Sequence, residues 1–197
     1  MSAMSQDRRI LDLILQAQQT ILGNLKRPNV IRKLRTYCCL QASLLQVDVS
    51  ADLYYRRRYT WFYVMRLQPH TWLDKYFCLL QAQKGNKAIS FAPTLRTLST
   101  QRVEGAFSSK LVATVRPDMP VIDRWVISNL GLKRPTGSFE QRIDGWVELH
   151  SDIQSLYKSL LAQDMFKEIQ DYFDSSFQQF PGLTDEKKLD ILLWQLR

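Results

Sequence analysis

Apolar residues recur along this chain every three to four positions, which is the spacing of one face of an α-helix. The first such set lies within residues 5–22 and comprises Ile10, Leu13, Ile14, Ala17 and Ile21. The same spacing predicts further helices over residues 29–46, 51–67, 71–84, 94–100, 107–115, 138–163, 164–178 and 184–194, with a short one after Asp123. Only residues 87–91 resemble a strand, and that run is short. The pattern therefore predicts an all-α fold.

Charge divides the chain into two parts. Residues 1–135 hold 21 basic and 8 acidic side chains, whereas residues 136–197 hold 6 basic and 11 acidic ones. The loop 133–137, which contains Pro135 and Gly137, is the predicted linker between them. We expect a single domain over 1–197 with two helical lobes, a basic one (1–135, including a hairpin at 94–115) and an acidic one (136–197). A concentrated basic face attracts polyanions such as DNA or RNA, or an anionic membrane.

Composition narrows the function classes further. A chain of 197 residues with 45% hydrophobic side chains buries a substantial core. No apolar run has the length of a signal peptide or of a membrane span. Cys38, Cys39 and Cys78 have no zinc-site or disulfide spacing, and His70 and His150 belong to no metal-ligand motif. We expect a cytoplasmic protein without a membrane segment, a metal, an organic cofactor or an obligate protein partner.

One carboxylate stands at a helix start. Pro117 and Pro120 end the preceding helix, and Asp123 then occupies the N-cap position of a short helix that Gly131 terminates. The helix dipole and the neighbouring Arg124 keep this carboxylate ionised. Two interpretations remain open: Asp123 only caps its helix, or it also stabilises a developing positive charge.

The segment before Asp123 has a recognisable order of elements. A helix over Thr94–Thr100, a glycine turn over Arg102–Ala106 and a helix over Phe107–Val115 precede the Pro-bounded turn. Residues 95–132 resemble the helix-hairpin-helix DNA glycosylase superfamily. In that family the hairpin reads L-P-G-V-G-x-K-x-A, and a later V-D-x-x-V segment carries the catalytic aspartate. Val103–Phe107 and Val121–Val126 stand at the corresponding positions here.

The chain also departs from the family pattern. Phe107 replaces the second hairpin glycine, and Lys110 lies one position beyond the nucleophilic lysine of bifunctional members. One residue is about 100° around a helix, so the amine is expected to point elsewhere, as a solvated or phosphate-facing cation. The stretch from Lys110 to Asp123 is also shorter. The resemblance therefore implies a monofunctional glycosylase rather than a glycosylase/lyase.

The resemblance implies a mechanism and a partner. Double-stranded DNA would lie in a groove between the lobes, and a damaged or modified base, either a repair substrate or a modified base of phage DNA, would rotate out of the stack. Asp123 would stabilise the positive charge of the sugar as the glycosidic bond breaks and an abasic site remains. Lys110 is a second candidate catalytic residue. The expected DNA contacts are Gly105, Ala106, Phe107, Arg124, Lys133, Arg134 and, from the arginine run 56–58, Arg57. The expected base-pocket residues are Trp125, Tyr55 and Trp61, whose alternative role is core packing.

Two other function classes fit the same sequence. A degenerate hairpin and a basic lobe also suit a non-catalytic DNA- or RNA-binding protein. A helical scaffold for an acidic protein would leave the hairpin resemblance as a coincidence. Asp123 discriminates among these classes, because a carboxylate that faces a bound strand repels phosphate and has no use in a protein that only binds.

Overall fold

A computed structural model describes residues 3–65, 67–180 and 182–196, with side chains from residue 8 onward. All secondary structure in these ranges is helical, which confirms the all-α prediction. The eleven helices are α1 (Ala3–Gln16), α2 (Gln18–Leu25), α3 (Pro28–Ser43), α4 (Leu53–Phe62), α5 (His70–Gln83), α6 (Phe91–Leu98), α7 (Gly105–Val115), α8 (Arg124–Asn129), α9 (Phe139–Leu161), α10 (Asp164–Ser176) and α11 (Asp185–Gln195). None of them is both long and apolar enough to traverse a lipid bilayer.

Several helix boundaries differ from the sequence prediction. The single helix predicted over 5–22 is two helices, because the backbone leaves helical geometry at Ala17 (φ −88°, ψ 2°). The segment with strand-like character leads directly into α6, which starts at Phe91. Pro93 is tolerated there because the first turn of a helix needs no backbone donor at that position. The next helix, α7, begins two residues early, at Gly105.

Side-chain caps explain where several helices begin. Ser138 caps α9 and forms a reciprocal capping box with Gln141, and Thr184 caps α11. The cap of α4 is Asp52, which accepts a hydrogen bond from the first turn. Ser50, two residues earlier, is also a good cap by residue type, so composition alone does not choose between the two positions.

Two hydrophobic clusters form the interior. The first unites α1, α2, the start of α3 and helices α8 to α11, together with Phe91 and Leu95 of α6. The second lies among the end of α3, α4, α5 and α7. Residues of the first cluster come from both sides of residue 135. The division of the core therefore does not follow the change in charge along the chain.

Buried hydroxyl groups fix α7 within the second cluster. The Tyr59 hydroxyl lies 2.8 Å from that of Tyr76 and 2.9 Å from that of Thr114. Tyr76 also donates to the carbonyl oxygen of Phe107 at 3.2 Å. Because unpaired buried hydroxyls are costly, this network ties α4 and α5 to both ends of α7 in one arrangement.

Close packing explains the glycine at the start of α7. The α6–α7 pair packs together across the turn 99–104, in which the Glu104 amide donates to Ser99 Oγ at 3.0 Å. A Cβ on Gly105 would lie 2.1 Å from Cδ2 of Trp146 in α9. Only glycine allows the indole ring to approach the backbone this closely, so Gly105 lets α9 pack against the start of α7.

Candidate functional site

A small cavity lies where the two hydrophobic clusters meet. Its volume is about 140 Å³. Tyr63, from the second cluster, lines it together with Val126 and Ile191 from the first. Pockets for drug-sized ligands usually exceed roughly 300 Å³, so this one suits a small group such as a single ring system.

The walls of the cavity combine charged and aromatic side chains. The charged ones are Lys33, Lys110, Asp123, Lys187 and Asp190. The aromatic ones are Phe62, Tyr63 and Trp194. An apolar, partly enclosed setting strengthens electrostatic interactions, so these charges act on a bound group more strongly than they would in water. The cavity has room for a small flat ring beside both carboxylates and amines.

Asp123 is the N-cap of α8, as predicted. Its Oδ1 accepts hydrogen bonds from the amides of Trp125, at 2.7 Å, and Val126, at 2.9 Å. The segment leading to Asp123 is also held, since the Ile122 amide donates to Ser109 Oγ at 2.9 Å. Both amide bonds use the same carboxylate oxygen, which leaves Oδ2 for a group in the cavity. Helix capping and a functional role are therefore compatible.

Lys110 is not the solvated cation that its sequence position predicts. Its Nζ donates to the Tyr63 carbonyl at 3.1 Å and lies 4.8 Å from the centre of the Phe107 ring. Burial lowers the pKa of this amine to about 8, although the charge of Asp123 partly offsets the shift. Lys110 lines the cavity together with Asp123, so the offset along α7 does not turn the amine away from that carboxylate.

A second lysine–aspartate pair lines the same cavity, and neither residue was predicted. In α11, Lys187 Nζ lies 2.7 Å from Asp190 Oδ2, and both side chains are buried. Asp190 also accepts from the Tyr157 hydroxyl at 2.7 Å and from the Val121 amide, at 3.3 Å to each oxygen. A signal was present in the sequence, because Lys and Asp three residues apart interrupt an otherwise Leu-rich helix.

The three aromatics predicted for the base pocket do not line this cavity. Tyr55 is 3% exposed and packs within the second cluster, because residues 55, 59 and 63 share the buried face of α4. Trp61 is 41% exposed beneath the Arg32 guanidinium, and Trp125 packs against Arg124. Of these three tyrosines only Tyr63, the C-cap of α4, lines the cavity.

The predicted DNA-contact residues divide into two groups. The four basic ones are exposed: Arg57, Arg124, Lys133 and Arg134. Gly105 is buried beneath Trp146, whereas Ala106 and Phe107 are half-buried in the first turn of α7. Of the arginines next to Arg57, Arg56 pairs with Asp74 and Arg58 stacks on Tyr54. Arg57 alone of that run points into solvent without a described partner.

Comparison with known proteins adds no assignment. No protein-family model matches the chain, and neither a curated protein nor a solved structure matches it significantly. Within residues 3–65, 67–180 and 182–196, no three His, Cys, Asp or Glu side chains gather as a metal site. Inference about function therefore depends on the chemistry of the cavity itself.

Proposed function

We propose that the protein is a DNA N-glycosylase that removes a damaged or modified base rotated out of duplex DNA. The observation that carries the proposal is that Asp123 and Lys110 border one small cavity with aromatic walls. A flat base fits such walls, and the reaction needs a fixed negative charge beside the sugar. In this proposal α6 and α7 form the helix-hairpin-helix, and the two clusters are the cores of lobes that flank the DNA.

Asp123 has the central role in this reaction. As the bond between sugar and base breaks, positive charge builds on the sugar, and a carboxylate at a fixed position lowers the energy of that state. The amide bonds to Oδ1 hold the group in place, and Oδ2 faces the reacting centre or orients the attacking water. No metal or organic cofactor takes part in this scheme.

DNA binding in this proposal relies on surface charge near the cavity. Arg124 directly follows Asp123, and Lys133 and Arg134 lie in the loop after α8. Phosphate contacts of this kind position a duplex without reading its sequence. The amides of Ala106 and Phe107, in the first turn of α7, have no acceptor among the described residues and can bind a phosphate oxygen.

The position of Lys110 favours a second candidate activity, that of a glycosylase/lyase, over the expected monofunctional one. The neutral amine would attack the sugar C1′, forming a C–N bond while the glycosidic bond breaks and its electron pair leaves with the base. The base takes up a proton and the new amine loses one. The nitrogen lone pair then forms a C=N bond as the C1′–O4′ bond breaks, and O4′ takes up a proton, so that a protonated imine links Lys110 to the opened sugar. An amine with a pKa near 8 is partly neutral at physiological pH, as this step requires.

The rival proposal is a protein that binds DNA or RNA without cleaving it. The phenylalanine at position 107 and the acidic Glu104 at the start of α7 support that rival, because both hinder close approach of a phosphate. Asp123 argues against it, since a binding protein gains nothing from a carboxylate in an aromatic cavity. No feature of the cavity supports the third hypothesis, that the protein is a scaffold for an acidic protein.

The test is a set of duplex oligonucleotides that carry different modified bases, with abasic-site formation as the readout. Wild-type protein is expected to act on at least one of them, and Asp123→Asn to lose at least about 100-fold in rate while still binding the duplex. Asp52→Asn is the matched control, because Asp52 also caps a helix but lies outside the cavity. Full activity in Asp123→Asn would show that the catalytic assignment is wrong, and binding without any base release would favour the rival.

A further inference from the structure

Lys187 and Asp190 form a buried ion pair that the proposed reaction does not use. Their side chains are 7% and 8% exposed, and both border the cavity. Replacing a buried ion pair by apolar residues is often neutral or stabilising, so such a pair is weak evidence of a purely structural role. The two residues differ in whether they keep a hydrogen-bonding group available for a ligand in the cavity.

Asp190 already bonds to protein donors. Its two oxygens accept from Lys187 and from the Tyr157 hydroxyl, and they share the single N–H of the Val121 amide. Protein donors therefore engage both oxygens of the carboxylate. Asp190 therefore holds Lys187 and the segment before Asp123 in place, and it does not face a ligand as a free acceptor.

Lys187 has donors left over. An ammonium group carries three N–H bonds, and within the described residues only Asp190 accepts one of them. The Tyr37 ring covers one side of the group at 5.2 Å. Burial disfavours its charge, but Asp190 with Tyr37 and Tyr63 outweighs burial and raises the pKa of Lys187, so the group remains a cation. The wall of the cavity therefore contains a positively charged group that can donate hydrogen bonds but cannot accept them.

We propose that Lys187 is the specificity-determining residue for the extruded base, donating a hydrogen bond to a carbonyl oxygen of a neutral base. The inference rests on the proposed function and adds its substrate class. If the base has an amino group at that position, two hydrogen-bond donors face each other, the amino group and the Lys187 ammonium. A cationic alkylated base brings a second positive charge next to that ammonium. Both are rejected, because a buried donor is left unpaired or a like charge is brought close.

The test compares bases that differ only by an amino or a carbonyl group: cytosine with uracil, and adenine with hypoxanthine, each opposite an abasic analogue so that pairing does not contribute. Binding is measured with Asp123→Asn protein, so this readout does not depend on catalysis. Base release is measured separately with the wild-type protein. The carbonyl member is expected to bind at least about ten-fold more tightly. Equal binding of both members, or preference for the amino member or for 7-methylguanine, would overturn the inference.

Variants separate recognition from a structural role. The double substitution Lys187→Met with Asp190→Leu removes both charges together and is expected to abolish the carbonyl preference. The matched control is Lys188→Met, since Lys188 is a buried lysine on the same helix that pairs with Asp174 and does not line the cavity. A preserved preference in the folded double variant contradicts the role of Lys187. If the double variant does not fold, equal binding of the amino and carbonyl members by the protein that retains Lys187 still overturns the inference. Loss of base release in Asp123→Asn tests the proposed function separately.

Discussion

Two lysine–aspartate sets line one cavity and differ in how their members meet. Lys187 and Asp190 lie one turn apart on α11 and form an ion pair at 2.7 Å. Lys110 and Asp123 come from different elements and form no ion pair within the described residues. The Lys110 amine bonds a carbonyl oxygen instead, and the Asp123 carboxylate bonds backbone amides.

The difference in contact decides the protonation of each lysine. Burial disfavours the charge on both. At Lys187 the neighbouring carboxylate outweighs burial and the pKa rises, whereas at Lys110 the more distant Asp123 does not and the pKa falls to about 8. The same residue types thus provide a fixed cation and an amine that is partly neutral at physiological pH in one cavity.

The largest expected effect is a loss of folding free energy, seen when the aspartate of each lysine–aspartate set is replaced by asparagine. Asp190→Asn leaves the Lys187 charge buried without its counterion and is expected to cost about 3 kcal/mol, or a Tm lower by about 10 °C. Asp123→Asn is expected to cost less than about 0.5 kcal/mol, because asparagine caps helices as well as aspartate does. Thermal melts of both variants at pH 7 measure the difference.

If the two substitutions destabilise the protein equally, the Lys187–Asp190 ion pair contributes no more to stability than the unpaired Asp123 does. The double variant Lys187→Met with Asp190→Leu is the control for this comparison, since removing both charges restores most of the loss. A double variant as unstable as Asp190→Asn would mean that the lost hydrogen bonds to Tyr157 and Val121 cause the effect.

The all-α fold was predictable because apolar spacing and capping residues indicate where helices form, although several boundaries differ from the prediction. Apolar spacing indicated the helices, and Asp123, Ser138 and Thr184 cap them as the residue types imply. The break at Ala17 was not predictable in the same way, since neither glycine nor proline stands there. The Ala17 side chain packs against the first cluster, a contact that the local sequence pattern does not contain.

The cavity was less predictable because it depends on contacts between distant segments. Asp123 was identified from its own neighbours, whereas the ion pair of α11 acquires its place only because Asp190 bonds Val121, 69 residues away. Tyr55 shows the reverse case. Its aromatic character suited a pocket, but its position on the buried face of α4 directs it into the core.

The second prediction concerns the pH dependence of imine formation at Lys110. With a duplex that contains an abasic site and a hydride reductant, covalent trapping is expected to rise about ten-fold per pH unit below pH 8 and to level off above it, because only the neutral amine reacts. Asp123→Asn removes a charge that raises the pKa of Lys110, so the midpoint is expected to move to lower pH. Gel-resolved conjugates at each pH provide the measurement.

Two variants control for other amines in the trapping experiment. Lys110→Gln is expected to abolish the conjugate, and Lys33→Gln, which removes another lysine of the cavity, is expected to retain it. A midpoint near the ordinary lysine value of about 10.4 would mean that Lys110 is a solvated cation after all. Lys110 and Lys187 would then both be protonated at physiological pH and would differ only in whether they form an ion pair.

The smallest expected effect comes from Val64, which follows the carbonyl that Lys110 bonds. Val64 adopts a left-handed backbone conformation (φ 55°) and is 62% exposed at the edge of the cavity. A β-branched residue is strained there, so Val64→Gly is expected to stabilise the protein by up to about 1 kcal/mol, and Val64→Ala by less. Chemical denaturation of the three proteins measures this order.

Val64→Gly also tests what lowers the pKa of the Lys110 amine relative to that of Lys187. If burial lowers its pKa, the trapping midpoint of Val64→Gly stays near pH 8 while stability rises. If the strained turn holds the Tyr63 carbonyl against the amine, relaxing it changes that hydrogen bond and moves the midpoint. A stable variant with a shifted midpoint would mean that backbone strain, and not burial alone, maintains the reactive lysine beside Asp123.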